Sequence, residues 1–131
     1  MDRFSNKKRA SGVLLHISSL PGPYGIGEIG NEAKAFVNDL AMMNQKYWQI
    51  LPTNYPERHN SQYDTNSAFA QNPLLISLDG LIEDGLLSES DLKPIPEFMN
   101  SRVEFEKLKR WKQILLRKAA TNFSNADNND L

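Results

Sequence analysis

The chain has 131 residues, 40% hydrophobic and 24% charged, which suits one small globular unit and excludes wholesale disorder. With 15 basic and 16 acidic residues the formal net charge is -1, so no cationic excess exists to neutralise nucleic-acid phosphates. The absence of cysteine excludes disulfides, a thiolate nucleophile and cysteine metal sites, and it fits the cytoplasm.

Residues 1–11 are polar and basic and read as a flexible lead. The apolar run at 13–17 contains His16 and is followed by Ser18, Ser19 and a Pro-Gly turn, so it is a poor secretory core. Nothing approaches the roughly 18 apolar residues of a membrane span, and no membrane partner is expected. Gly12 to Ile17 predicts a buried strand, because Val13, Leu14 and Leu15 run without polar interruption. The next ten residues, Ser18 to Gly27, hold two prolines and three glycines and predict a stiff, sharply turning loop.

Asn31 is a candidate cap for the helix that follows. Ala33, Phe36, Val37 and Leu40 have the spacing of one buried helical stripe. Tyr47 to Leu51 predicts the second strand, ended by Pro52, which has no N–H to donate. Strand, loop, helix and strand over 12–51 make one βαβ unit and a parallel pair. That order fits both a barrel and an open sheet.

Residues 53–72 are polar and rich in Asn, and they follow the carboxyl end of the second strand. Ser67 to Ala70 suits a helical turn and Pro73 to Leu78 an extended segment. Asp79 to Leu87 suits a short helix ended by Gly85. Ser88 and Asp91 have capping-box spacing, as do Ser101 and Glu104. A long helix is expected from about Arg102 to Asn122, with Leu108, Trp111 and Leu115 as its apolar stripe and Phe105 and Ala119 near its edges. Ser124 to Leu131 is polar and reads as a disordered tail. The chain then divides into a lead at 1–11, a structured segment at 12–123 and a tail at 124–131.

Gly25-Ile26-Gly27-Glu28-Ile29-Gly30 spells a dinucleotide fingerprint, but the context argues against it. Pro21 and Pro23 precede it, Tyr24 crowds it, and Asp39 lies before the next strand rather than at its end. Two histidines and no cysteine give a metal site little support. Asp64, Asp79, Glu83 and Asp84 are carboxylates whose ordinary reading is a solvated face or a turn cap.

Three blocks carry a resemblance: Gly12-Val13-Leu14-Leu15-His16-Ile17-Ser18-Ser19-Leu20-Pro21-Gly22-Pro23-Tyr24-Gly25-Ile26-Gly27, Tyr47-Trp48-Gln49-Ile50-Leu51-Pro52, and Ser67-Ala68-Phe69-Ala70-Gln71-Asn72-Pro73-Leu74-Leu75-Ile76-Ser77-Leu78. In this order they resemble the opening of the amylomaltase-type 4-α-glucanotransferases, over roughly residues 10–90. The resemblance implies an α/β fold, an incomplete (β/α)8 TIM barrel with an amino-terminal βαβ unit, a loop insertion and a long helix near the carboxyl end. It implies transfer of 1,4-α-glucan segments to glucose or another glucan by a retaining mechanism, with no cofactor. Such chemistry needs two carboxyl groups about 5–5.5 Å apart. The family's pair maps onto no position of this chain, so the isolated chain is expected to be an inactive fragment. A non-catalytic glucan-binding or structural remnant, and one half of a split enzyme, are the alternatives. The partners implied are a maltooligosaccharide or starch-like glucan and a chain supplying the rest of the barrel.

The resemblance also carries candidate substrate-binding residues. Ser61 and Tyr63 match a serine and a tyrosine that line the family's donor cleft. Tyr63 can stack on a pyranose and Ser61 can bond a sugar hydroxyl. Tyr24 and His16 are further candidates, with a loop or core role as the ordinary reading of His16. Arg58 replaces a tyrosine that serves a second glucan site in part of the family. Asn54, Glu57 and His59 replace glycines, and Gln62 replaces a proline.

Overall fold

A computed structural model describes residues 9–55, 61, 67 and 69–127. Strand β1 (Gly12–Leu14) pairs in parallel with β2 (Tyr47–Gln49), with Val13 opposite Trp48, and helix α1 (Asn31–Met42) makes the crossover. The expected βαβ unit is therefore present. Both strands are shorter than the sequence predicts. The ladder adds one bond from Leu15 N–H to the Gln49 carbonyl, 3.0 Å. The chain then turns, because the His16 ring accepts from Ser18 N–H and caps a 3₁₀ turn at Ile17–Ser19.

Asn31 is not the cap of α1; it is the first helical residue, and Gly30 precedes it. A Cβ on Gly30 would lie 2.6 Å from Ser77 Oγ, so close approach selects glycine there. Leu40 is buried and Phe36 packs edge-on against Trp48 at 4.9 Å. Val37, expected in the buried stripe, is 49% exposed. Asn44 ends the helix region at φ 58°, a left-handed value asparagine tolerates.

Pro73–Leu75 forms a 3₁₀ turn instead of an extended segment. Asn72 accepts from Leu74 N–H at 3.0 Å, and Pro73 occupies the first position, where no N–H is needed. Helix α2 (Leu78–Glu83) starts at a Ser77 cap and stops at Gly85, φ 72°. Leu86 N–H reaches the Leu81 carbonyl and Gly85 N–H that of Ile82, the paired bonds of a Schellman ending. Asp91 reaches back to Ser88 N–H at 2.9 Å, as the capping-box spacing predicts.

Helix α3 (Phe105–Asp127) begins three residues later than expected, because Glu104 takes Met99 N–H at 3.0 Å and forms no box with Ser101. It also runs past Asn122 and takes in Ser124–Asp127, part of the expected tail. Its buried stripe is Leu108, Lys112, Leu115 and Ala119. One core cluster joins Leu108 to Ile17, Leu20, Ile26, Leu74 and Leu75. The other joins Leu115 and Ala119 to Tyr24, Leu78, Leu87 and Leu92, and Trp111 packs against both.

Candidate functional site

The loop after β1 lies against the segment that leads into α3. Between them is a cleft of about 560 Å³, bordered by Ser18, Pro21, Gly25, Phe98, Asn100 and Arg102 among others. Gly25 is required here. Its φ is 76°, and a Cβ would lie 2.4 Å from the Phe98 ring. Gly27 is equally constrained, since a Cβ would lie 2.0 Å from the Ile17 carbonyl oxygen. These glycines serve close packing of protein on protein, which explains the fingerprint spacing without a nucleotide.

Directly after Gly27, Glu28 turns inward. It is buried, accepts from Leu78 N–H at 2.9 Å, and pairs with the fully buried ammonium of Lys112. Lys112 also donates to the Leu74 carbonyl at 2.7 Å. Burial pushes the Glu28 carboxyl pKa up and the Lys112 pKa down; each partner's charge opposes the shift. The pair thus ties the post-β1 loop, the start of α2 and α3 into one block. Sequence reasoning missed both residues. For Lys112 a signal existed: it lies four residues after Leu108 and three before Leu115, within the apolar stripe. Glu28, inside a glycine-rich loop, gave none.

Tyr24 is buried, donates its hydroxyl to Asp79, and stands 6.1 Å from the Trp111 ring. Burial and the Asp79 carboxylate raise its pKa. Its hydroxyl is committed to protein, although Tyr24 also borders a smaller cavity of about 390 Å³ with Asn31, Asp79 and Lys93. His16 is buried too, its Nδ1 2.8 Å from Ser18 Oγ. Nε2 has no hydrogen-bond partner of standard geometry among the described residues. Burial lowers the His16 pKa, and the nearby Pro52 carbonyl partly opposes this. His16 therefore caps the turn at the exit of β1, while Tyr24 belongs to the α2–α3 cluster. No bond joins the two.

Ser61 is half-buried and lies within the segment after β2. Tyr63, Arg58, Glu57, His59, Gln62 and Asp64 lie outside the described residues. Asn54 donates to the Ser67 carbonyl at 2.8 Å and pairs antiparallel with Gln71. Trp48 donates its indole N–H to the Leu15 carbonyl at 2.7 Å, so it packs the strand pair. Among the described residues, no group of three or more His, Asp or Glu side chains is placed to hold a metal. No described helix is long and apolar enough to cross a membrane.

The family model for 4-alpha-glucanotransferase matches residues 15–131. The 4-alpha-glucanotransferase of Streptococcus pneumoniae is 48% identical over 118 residues, covering 89% of this chain and 23% of the relative. That of Thermus thermophilus is 43% identical, over 88% of this chain and 22% of its own length. The chloroplastic/amyloplastic enzyme of Solanum tuberosum is 38% identical, over 90% and 21%. Among solved structures, the amylomaltase from Streptococcus agalactiae in complex with acarbose superposes with a TM-score of 0.86 at 43% identity. That match covers 90% of this chain and 24% of that one. The chain thus spans about a quarter of the length of the relatives it matches.

Proposed function

Because the chain belongs to the 4-alpha-glucanotransferase family, we propose that it is the amino-terminal portion of such an enzyme, supplying part of the glucan cleft and neither catalytic carboxyl group. The match to about a quarter of each relative carries this reading. In it, β1, α1 and β2 are the opening of a (β/α)8 barrel, whose sites lie at the carboxyl ends of the strands. The segment after β2 leaves from that end. Ser61 and Tyr63 contact the sugar, and the buried His16 and Tyr24 hold the surrounding loops from behind.

The carboxylates support the assignment. Asp79 accepts from Tyr24 and Glu28 from Lys112 and Leu78 N–H, which gives these two carboxylates a packing role. Transfer of a glucan segment needs the two catalytic carboxyl groups, and the reading places them in the part of the family chain beyond this segment. The substrate is an α-glucan, consistent with the acarbose bound by the streptococcal amylomaltase. The cysteine-free sequence suits a reducing cytoplasm.

The test is maltotriose disproportionation by the purified 131-residue chain. The expected result is no longer or shorter maltooligosaccharide above an inactive control. New products would show that carboxylates within this segment perform the transfer, and the reading would be wrong.

A further inference from the structure

The segment that leaves β2 returns to its own starting point. The Thr53 carbonyl accepts from Asn72 N–H at 2.7 Å, and Asn54 and Gln71 form an antiparallel bridge, so two limbs meet just beyond the strand. Side chains fasten this neck. Thr53 donates its hydroxyl to the Gln71 side-chain carbonyl. Asn54 donates its side-chain amide to the Ser67 carbonyl, 2.8 Å away and 13 residues on. The Ser67 hydroxyl accepts from Ala70 N–H at 3.1 Å and Phe69 N–H at 3.3 Å, which sets the returning limb in a turn. Asn72 then caps the turn that carries the fully buried Leu74. On the outgoing limb, Tyr55 packs against the first core cluster, with the Lys109 ammonium 5.4 Å from its ring centre. Loops whose ends are held this close are compact surface units and are frequently functional.

We propose that Thr53 and Asn54 are positioning residues for glucan binding. Their side-chain bonds close the neck and hold Ser61, which lies between its limbs, in place for the sugar. Neither side chain touches the ligand. The proposal rests on the glucan-cleft reading above and adds two residues to it. Both are half-buried, and Asn44 is the one described non-glycine residue with positive φ, so Asn54 carries no left-handed strain. Asn54 stands where the resemblance has a glycine, which has no side chain to reach Ser67. Its amide is needed as a donor: a carboxylate in its place would face the Ser67 carbonyl acceptor to acceptor. A neck closed before the sugar arrives spares the cost of ordering the segment on binding.

The experiment is a titration of the full 131-residue chain with maltoheptaose, followed at the Ser61 backbone amide by NMR. The parent is compared with Asn54→Asp, Thr53→Val and Thr53→Ser. The parent should show a saturable shift. Asn54→Asp and Thr53→Val should each weaken the dissociation constant about fivefold, the net worth of one hydrogen bond. Thr53→Ser keeps the hydroxyl and should keep the affinity. Thermal melts of the same samples separate positioning from stability, since a purely structural role lowers the melting temperature and leaves the affinity of the folded chain unchanged. Should Asn54→Asp fail to fold, the Thr53→Val and Thr53→Ser pair decides. A parent without a saturable shift would overturn the glucan-cleft reading and this proposal with it. A parent that binds, with Asn54→Asp and Thr53→Val binding equally well, would overturn the proposal alone, as would Thr53→Ser binding as poorly as Thr53→Val.

Discussion

Lys112 is fully buried on α3, where Lys107 and Lys118 are exposed and Lys109 is half-buried over the Tyr55 ring, and its ammonium bonds Glu28 and the Leu74 carbonyl. Removing one member of such a pair leaves the other buried and uncompensated, at about 3–5 kcal/mol. Lys112→Met should lower stability by that amount in urea unfolding, and adding Glu28→Gln should recover part of it. The loss should also grow with pH. Burial already raises the Glu28 pKa, and removing the lysine raises it further. A raised folded pKa gives stability that is present below the unfolded value and lost as pH rises through the folded one. A deficit equal at about pH 5 and pH 8 would contradict this. His16 has the opposite sign. Its folded pKa is lowered, so its contribution is complete above the unfolded value of about 6.5 and lost as pH falls through the folded value. Relative to a His16→Gln variant, the parent's urea midpoint should fall between about pH 7.5 and 5.5. Parallel profiles would remove His16 from the account.

Among the elements, the loop between β1 and α1 depends most on what other segments do. Gly25 and Gly85 both have positive φ, but only Gly25 has a neighbour, the Phe98 ring. Gly85→Ala should cost about 1–2 kcal/mol, the left-handed penalty alone. Gly25→Ala adds overpacking of about 1–3 kcal/mol. Thermal melts should therefore rank Gly25→Ala as the less stable; the reverse order would deny the Phe98 contact. The same contrast shows what the sequence makes legible. Gly85 announces a helix stop because its role is local, and Ser88 with Asp91 announces a turn for the same reason. The βαβ order was readable from apolar runs and Pro52. The early end of β1 was not, because it depends on His16 folding back onto Ser18. The shift of the α3 start depends on Glu104 choosing Met99, five residues away. Of the candidate site, Ser61 and Tyr63 came from resemblance alone. The burial of Tyr24 was invisible because it is made by residues far along the chain, whereas a loop or core role was already the ordinary reading of His16.

Taken as a whole molecule, the chain has two core clusters bridged by α3 and one sheet face left bare. An exposed apolar surface beside open strand edges favours association. The dilute chain alone should bind an apolar dye and self-associate. A monomer that unfolds in one sharp step and binds no dye would argue against this. The Glu28–Lys112 pair bears on another matter, the timing of biosynthesis. Its members are 84 residues apart. At roughly 5–20 residues per second, the ribosome adds Lys112 about 4–17 s after Glu28. Throughout that interval the nascent loop holds a carboxylate with no cation to meet it. The post-β1 loop therefore closes only after the first turns of α3, through Lys112, have left the exit tunnel, well behind its own synthesis.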